Sequence, residues 1–351
     1  MRKIVIAWKK GIELKAAVLE ELNQPLTLRD VELTPLGIGQ VLVKILVSGI
    51  CGSQLQEIKG FKGHGKFLPH LMGHEGCGIV EKIGPGVTTV QVGDKVVMHW
   101  RPGSGIEANF PIYKLDGKSF SSGKVTTLSE KAIVSENRLT SIPQDTDSEL
   151  AALLGCSLTT ALGIIDNQSH LKFGETVAII GCGGVGLNLI SGALLKGAST
   201  VYAIDNSKEK ESLVLSQGAT HFLKSTNDLP EKIDLIIDTT GNPNVISEAF
   251  KSLSNEGRII LVGQPAPGTE VVIPNAIQLF NGSGQSIRAT QGGETAPQND
   301  IPRYIRLFKS RSLGTAGLIT HRYQLEEVNE AFKKLITGGA GRIMISMGGK
   351  C

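Results

Sequence analysis

Thr176-Val-Ala-Ile-Ile180 is followed directly by Gly181-Cys-Gly-Gly-Val-Gly186, and an apolar stretch continues over residues 187–195. The first run is short and rich in β-branched residues, which is typical of a buried strand, and the last has the composition and length of a helix. A glycine-rich turn between a strand and a helix is the arrangement that holds the phosphates of a dinucleotide. We therefore predict a dinucleotide-binding strand, turn and helix here.

The glycines of this turn have separate roles in the prediction. Gly181 allows the tight exit from the strand, and Gly183 lets the backbone approach a pyrophosphate without a Cβ in the way. Gly186 lets the helix pack closely on the sheet, and we assign Gly184 to the same cofactor loop. The helix N-terminus offers unpaired N–H groups and the positive end of its dipole to the phosphates.

An acidic residue, Asp205, stands nineteen positions after Gly186, at the end of the apolar run 201–204. Its carboxylate can accept hydrogen bonds from both ribose hydroxyls of NAD, whereas it would repel the negatively charged 2′-phosphate of NADP. The alternative is a crossover that binds no nucleotide and needs small residues only for packing. The position of the acid favours a nucleotide site, and NAD over NADP.

Length and composition predict ordinary globular domains. The chain has 351 residues, more than one compact core accommodates, so we expect two domains. Its 40% hydrophobic and 20% charged residues are average for a globular protein. The net charge is +3, and no block of like charge indicates a nucleic-acid or lipid surface.

Two further features bear on the cellular compartment. The apolar run at residues 4–8 is too short for a signal-peptide core or a membrane span. The five cysteines are odd in number and far apart, which is not the pattern of a disulfide framework. Thiol or metal roles in a reducing compartment fit better. We expect a cytoplasmic protein without a membrane or nucleic-acid partner.

The pattern of predicted elements changes along the chain. Up to about residue 150 it predicts strands separated by glycine turns, as at 41–47. Over about 158–290, apolar runs alternate with helical segments such as 245–253, which predicts a doubly wound parallel sheet. A final strand is predicted at 342–346. We expect this tail to return to the first domain, with an active cleft between the two domains.

Three residues spread over about a hundred positions have the side chains of a catalytic zinc site. Cys51, His74 and Cys156 offer two thiolates and an imidazole, and such a site takes three protein ligands and keeps one position open. Each residue has another explanation when taken singly. A lone cysteine is more often a small buried hydrophobe, and a lone histidine a hydrogen-bonded structural residue.

Five segments together resemble the medium-chain, zinc-dependent alcohol dehydrogenases, in the same order and at comparable spacing over nearly the whole chain. They are Gly49-Ile-Cys-Gly-Ser53, Gly73-His-Glu-Gly-Cys-Gly-Ile-Val80, Val92-Gly-Asp-Lys-Val96, Leu154-Gly-Cys156 and Gly181-Cys-Gly-Gly-Val-Gly186. The resemblance implies an α/β fold with a Rossmann domain for NAD at 158–290. It also implies a mainly β, GroES-like catalytic domain at 1–157 and 291–351, and a homodimer or homotetramer.

By this resemblance Cys51, His74 and Cys156 bind the catalytic zinc, and Glu75 lies close to the metal. Water usually completes the four-fold coordination, and transient ligation by Glu75 is the alternative. The resemblance also assigns six residues around the cofactor and substrate: Val185 and Val262 near the nicotinamide, Thr160 at its face, Lys210 at the adenosine ribose, Arg342 at the pyrophosphate and Trp100 in the substrate pocket. Because a guanidinium binds phosphate oxygens bidentately, the chemistry of Arg342 supports this assignment independently of the resemblance. The alternatives are a solvated strand arginine and, for Trp100, a plain core aromatic.

One departure from the family pattern concerns a second metal. Many relatives hold a structural zinc with four closely spaced cysteines after the position of Trp100. This chain has no cysteine between Cys77 and Cys156. We therefore expect one catalytic zinc and no structural zinc, with residues 101–122 ordered by other contacts or mobile.

The proton relay also departs from the pattern. Ser53 matches the hydroxyl that bridges the substrate oxygen to the ribose, but Gln56 stands where a histidine is common and cannot titrate near neutrality. The proton would then leave through water, or through His64 or His70. Gln54 replaces an aspartate that orients the zinc histidine, so the surroundings of the metal are altered.

The function we predict is hydride transfer between an alcohol, or its aldehyde or ketone, and NAD, with Ser53 and Glu75 as catalytic residues. One alternative is a zinc-free reductase of quinones or conjugated double bonds, which the three ligands disfavour. Another is a non-catalytic NAD-binding protein, which only the altered relay supports. The substrate stays open, since Arg101 and Arg288 leave room for a polar, polyol or anionic molecule.

Overall fold

The computed structural model of the protein describes residues 13–63, 68–230, 232–310 and 317–348. The apolar run at 4–8, His64 and Cys351 lie outside these residues. None of the helices within them combines the length and the hydropathy that a membrane span needs.

The described residues form strands in three sheets, joined by helices and short turns. The strands are β1 (Glu13–Leu19), β2 (Thr27–Leu33), β3 (Gln40–Ile50), β4 (His70–Leu71), β5 (Gly76–Ile83), β6 (Lys95–Met98), β7 (Ile112–Leu115), β8 (Lys118–Ser121), β9 (Lys131–Ser135), β10 (Leu139–Ile142), β11 (Thr176–Ile180), β12 (Thr200–Ile204), β13 (His221–Leu223), β14 (Ile233–Asp238), β15 (Leu253–Leu261), β16 (Ser286–Ala289), β17 (Ile319–Gln324) and β18 (Arg342–Ser346). The α-helices are α1 (Gly52–Ile58), α2 (Ser148–Leu153), α3 (Ser157–Gly163), α4 (Gly184–Leu195), α5 (Glu211–Ser216), α6 (Pro243–Ala249), α7 (Pro297–Ser310) and α8 (Val328–Thr337).

The parallel sheet is the one that the glycine-rich segment predicts. Its strand order is β13-β12-β11-β14-β15-β16, with every pair parallel. In β11, Val177 and Ile179 pack into the core that includes α4 and α5, while Ala178 and Ile180 pack into the core that includes α6. Helices cover both faces, which explains why the strand is apolar at every buried position. The doubly wound α/β (Rossmann) fold is confirmed.

The other two sheets form the mainly β part of the molecule. One has the order β4-β1-β2-β7-β8, and the other the order β10-β6-β5-β3-β18-β17 with β9 paired to β3. The last strand, β18, runs antiparallel to β3, with Ile343 opposite Ile50 and Ile345 opposite Ser48. The strand β18 therefore lies beside the strand that leads into Cys51. The exact limits of the two domains stay a prediction.

A buried carboxylate connects the segment that follows β6 with the turn that precedes β6. Glu136 accepts backbone N–H bonds from Thr88 at 2.6 Å, Thr89 at 2.8 Å and Ile106 at 2.7 Å. The hairpin of β7 and β8 adds to the first sheet through β2. Residues 101–122 are thus ordered by other contacts, one of the two outcomes that the missing cysteines predict. The absence of a structural zinc stays a prediction.

Candidate metal and dinucleotide site

Cys51 lies where β3 ends and α1 begins, at the N-cap of the helix. Its backbone N–H donates to Oε1 of Gln54 at 2.8 Å, which fixes the first turn. The Gln54 side chain is fully buried, and within the described part of the chain its Nε2 has no hydrogen-bond partner. The glutamine that replaces the family's aspartate therefore holds the backbone of a metal-ligand candidate.

Glycine brings Cys156 close to the turn that carries His74. Cys156 lies between α2 and α3, directly after Gly155. A Cβ on Gly155 would collide with the carbonyl oxygen of Met98 and would lie 2.8 Å from the Cα of Glu75. Only a glycine lets these two turns approach so closely.

The three predicted metal ligands meet at one place. One potential ligand atom from each of Cys51, His74 and Cys156 lies within 4.8 Å of the other two. Zinc forms bonds of about 2.3 Å to sulfur and about 2.0–2.1 Å to a histidine nitrogen, so these atoms can share one ion. Two sulfurs and an imidazole are also ligands that zinc prefers. The residues fit a catalytic zinc.

The pKa values of the two thiols are shifted in opposite directions. Contact with Cys156 lowers the pKa of Cys51 well below its usual value, and His74 and Arg342 act in the same direction against the effect of burial. The neighbouring Cys51 and burial together raise the pKa of Cys156. A zinc ligand must be a thiolate, so the groups that lower the pKa of Cys51 favour the form that binds the metal.

Glu75 does not join the three ligands but forms a buried ion pair. Its Oε1 accepts a hydrogen bond from Nη2 of Arg342, and both side chains are buried. Its Oε2 accepts from the backbone N–H of Ser157 at 3.3 Å, beside Cys156. The carboxylate thus holds Arg342 against the metal site. Transient ligation by Glu75 stays a prediction.

Arg342 connects the metal site to the glycine-rich turn. A Cβ on Gly184 would collide with Cδ of Arg342 and lie 3.2 Å from its Nε. Within the described residues this buried Nε has no hydrogen-bond partner. A guanidinium with a free N–H at the N-terminus of α4 fits a phosphate group. The position agrees with a role at the pyrophosphate and not with the alternative of a solvated arginine.

Three of the four glycines of the turn have geometries that agree with their predicted roles. Gly181 has a φ of +87°, and a Cβ there would lie 2.5 Å from Oγ1 of Thr239. A Cβ on Gly186 would collide with the carbonyl oxygen of Gly181. Gly183, the N-cap of α4, has nothing within 4 Å of the position of a Cβ. The backbone is open to a ligand at Gly183 alone of the three.

Asp205 directly follows β12, and its carboxylate accepts three hydrogen bonds at the carboxyl end of the parallel sheet. Its Oδ2 accepts from the backbone N–H of Cys182 at 2.8 Å, and its Oδ1 from that of Ser207 at 3.0 Å. Lys210 Nζ donates to the same Oδ2 at 2.8 Å. Lys210 therefore lies beside the carboxylate that the sequence assigns to the ribose, and both stand near the turn.

The remaining site candidates surround the same region. Val185 and Val262 are half-buried against the core of the parallel sheet, and Thr160 is buried in α3. Trp100 donates its backbone N–H to the carbonyl of Gly155, and the Arg101 guanidinium lies 5.7 Å from the centre of its ring. Their contacts with cofactor or substrate stay predictions.

Gln56, at the outer end of the predicted relay, reaches across to the parallel-sheet part of the chain. Its Nε2 donates to the backbone carbonyl of Gln264, in the loop after β15, at 2.9 Å. Sequence reasoning missed this contact, since nothing local links residues 208 positions apart. It also missed Glu57, one helical turn after Ser53, whose carboxylate lies 3.1 Å from Nζ of Lys62 and 3.8 Å from Nε2 of His70.

The comparisons with known proteins cover both parts of the chain. A family model described as Alcohol dehydrogenase GroES-like domain matches residues 37–144, and one described as Zinc-binding dehydrogenase matches residues 184–310. Alcohol dehydrogenase 6 of Peromyscus maniculatus is 30% identical over 374 residues, covering 96% of this chain and 98% of that relative. The chain belongs to the medium-chain, zinc-dependent alcohol dehydrogenase family. The resemblance and the GroES-like fold of the first part are confirmed.

Solved structures of this alcohol dehydrogenase family agree in fold. An alcohol dehydrogenase zinc-binding domain protein from Burkholderia ambifaria superposes with a TM-score of 0.89 at 23% identity, covering 97% of this chain and all of that one (100%). Benzyl alcohol dehydrogenase from Acinetobacter calcoaceticus gives 0.86 at 24% identity, with coverage of 96% and 100%. At these identities the likeness shows the fold and does not assign a substrate.

Proposed function

We propose that this protein is a zinc- and NAD-dependent alcohol dehydrogenase that interconverts an alcohol and its aldehyde or ketone. The observation that carries the proposal is the meeting of Cys51, His74 and Cys156 within 4.8 Å, on the same side as a dinucleotide-type turn. Arg342 lies between the three ligand candidates and the glycine-rich turn, in contact with Glu75 on one side and Gly184 on the other. A metal and a dinucleotide bound at these places would be neighbours.

When bound, the zinc supplies a Lewis acid that favours the alkoxide form of the alcohol, and the nicotinamide supplies the hydride acceptor. The chain's own residues would position the reactants and move the proton. Ser53, half-buried on α1, receives the hydroxyl proton of the substrate. Val185 and Val262 form an apolar wall that excludes water and fixes the face of the nicotinamide, with Thr160 beside them.

The proton does not pass onward through Gln56. An amide has no titration near neutral pH, and its Nε2 is engaged with the carbonyl of Gln264. The proton would leave Ser53 through water, or through His70, whose Nδ1 lies 3.3 Å from Oγ of Ser122.

Asp205 supports NAD as the cofactor. Its carboxylate is buried beside the open backbone of Gly183 and would repel a 2′-phosphate. Lys210 offsets part of that charge. The preference for NAD over NADP therefore depends mainly on the hydrogen bonds that the carboxylate accepts from the ribose hydroxyls.

We expect the purified, zinc-loaded protein to reduce NAD with a primary alcohol, and NADP much more slowly. Removal of the metal with a chelator should abolish this activity, and zinc should restore it, because the alkoxide no longer forms near neutral pH without the ion. The measurement is the absorbance of NADH before and after chelation. Quinone reduction by NADH that survives chelation, with no alcohol oxidation before it, would indicate the zinc-free reductase instead.

Two glycine variants separate cofactor binding from folding. Gly183→Ala places a methyl group in open space at a φ of −81°, so stability should stay within about 0.5 kcal/mol while the Kd for NADH rises. Gly186→Ala forces a methyl group against the carbonyl of Gly181 and should cost about 1–3 kcal/mol. Urea unfolding and NADH fluorescence titration measure both effects. Unchanged NADH affinity in Gly183→Ala would argue against a pyrophosphate at this turn.

A further inference from the structure

A cavity of about 300 Å³ opens beside His74. Apolar side chains from separate segments of the mainly β part form much of its lining. These apolar residues are Leu19, Leu22, Leu68, Phe110 and Val125. The volume is at the low end for small-molecule sites, which suits a compact ligand with a hydrocarbon body.

Besides His74, three charged or titratable residues line the same cavity, and we call them the polar wall: Glu57, Lys62 and His70. Lys62 Nζ lies 3.1 Å from Oε1 of Glu57, and Nε2 of His70 lies 3.8 Å from Oε2. The side chains of Glu57 and His70 are 24% and 19% exposed, so both are held mostly out of water. A polar group of a ligand in the cavity would meet this wall.

The polar wall both accepts and donates hydrogen bonds. Burial alone would raise the pKa of Glu57, but the neighbouring His70, Lys62 and His74 together outweigh it and lower that pKa to about 2. Glu57 is therefore a carboxylate that only accepts, and the ammonium of Lys62 only donates. The two charges offset each other, so the wall suits a neutral group that can donate and accept together. A hydroxyl is such a group.

The helix sets the distance between the wall and the reacting centre. Glu57 follows Ser53 by four residues on α1, so the two share a face with about 5–6 Å between their Cβ atoms. In the proposed function Ser53 contacts the reacting oxygen. A second hydroxyl that reaches Glu57 would be separated from the first by a spacer of a few carbons.

We propose, resting on the proposed function, that the preferred substrates are diols: alcohols with a second hydroxyl beyond a short hydrocarbon spacer. Glu57 is the specificity-determining residue, since its carboxylate accepts the hydrogen bond of the second hydroxyl. The apolar side chains hold the spacer, and Lys62 donates to the same hydroxyl.

The test compares butane-1,4-diol with butan-1-ol, which differ by one hydroxyl, using zinc-loaded enzyme and NAD. The wild type should show a kcat/KM for the diol that is about tenfold or more above that for the mono-alcohol. Glu57→Met removes the acceptor at similar length, so the ratio should fall to about one through a higher KM for the diol. Glu57→Gln keeps one accepting oxygen and should give an intermediate ratio. Glu149→Met, at an exposed ion pair with Arg322, is the control and should keep the wild-type ratio.

The outcomes separate this inference from the proposed function. Equal use of the two alcohols by the wild type, or a wild-type ratio in Glu57→Met, overturns the diol proposal and leaves alcohol oxidation standing. Oxidation of neither alcohol overturns the diol proposal, and the proposed function falls with it only if no other alcohol reduces NAD in a zinc-dependent way. If Glu57→Met does not fold, the wild-type ratio and Glu57→Gln still decide the question.

Discussion

Replacement of Cys51 by alanine is expected to reduce the zinc content from about one ion per chain to nearly none. The variant keeps His74 and Cys156, but it loses one of the three side chains whose ligand atoms can share the ion. Alcohol oxidation should fall by about a thousandfold or more, since Lewis-acid stabilisation supplies several kcal/mol and each 1.36 kcal/mol is tenfold in rate. Metal analysis and steady-state kinetics with NAD measure the two losses.

Cys77→Ala is the matched control for that variant. Cys77 is a fully buried thiol in β5, packed in the core with Val97 and outside the group of three ligands. Burial raises the pKa of this thiol to about 11, so it is inert at neutral pH. The control should keep its zinc and its turnover. Full turnover and full zinc content in Cys51→Ala would contradict the proposed metal site.

Arg342→Met is expected to lower the free energy of unfolding by about 3–5 kcal/mol. The substitution leaves the carboxylate of Glu75 buried without its partner, and an uncompensated buried charge is costly. The double variant Arg342→Met, Glu75→Gln should recover much of that loss because the buried charge is gone. Denaturant unfolding of the single and double variants measures the coupling.

The neighbouring strand offers a control with the same substitution. Arg322 on β17 pairs with Glu149 on α2, but its side chain is 56% exposed. Arg322→Met should cost less than about 1 kcal/mol, since water screens an exposed pair. If Arg342→Met and Arg322→Met lost equal free energies of unfolding, burial of the Arg342–Glu75 pair would not explain its contribution to stability. NADH affinity gives a second readout, because only Arg342 lies against Gly184.

Much of the fold could be predicted from local patterns. The strands β11 and β12, the helix α4 and the final strand β18 lie where the apolar periodicity and the glycines predict them. The predicted helix over 245–253 is wrong at its end, since α6 stops at Ala249 and a short 3-10 turn leads into β15 at Leu253. The strand begins there because Leu253 pairs with Ile233 of β14, a contact that no local pattern reveals.

The candidate site was predictable only where its chemistry is local. The ligand types at Cys51, His74 and Cys156 and the glycines of the turn could be recognised from residue identity and spacing. The polar wall, the partner of Gln56 and the carboxylate anchor at Glu136 could not, since each joins segments that are distant in sequence.

The sequence by itself determined which backbone turns are possible and which side chains can bind a metal, because these depend on a missing Cβ or on the donor atom of a single residue. Only the tertiary structure decided which of those groups meet. Arg342 reaches Glu75 across 267 positions because β18 pairs with β3, and Gly155 brings Cys156 to His74 because no side chain keeps the two turns apart. Such contacts depend on how sheets pack, which is set by the whole core rather than by any one segment.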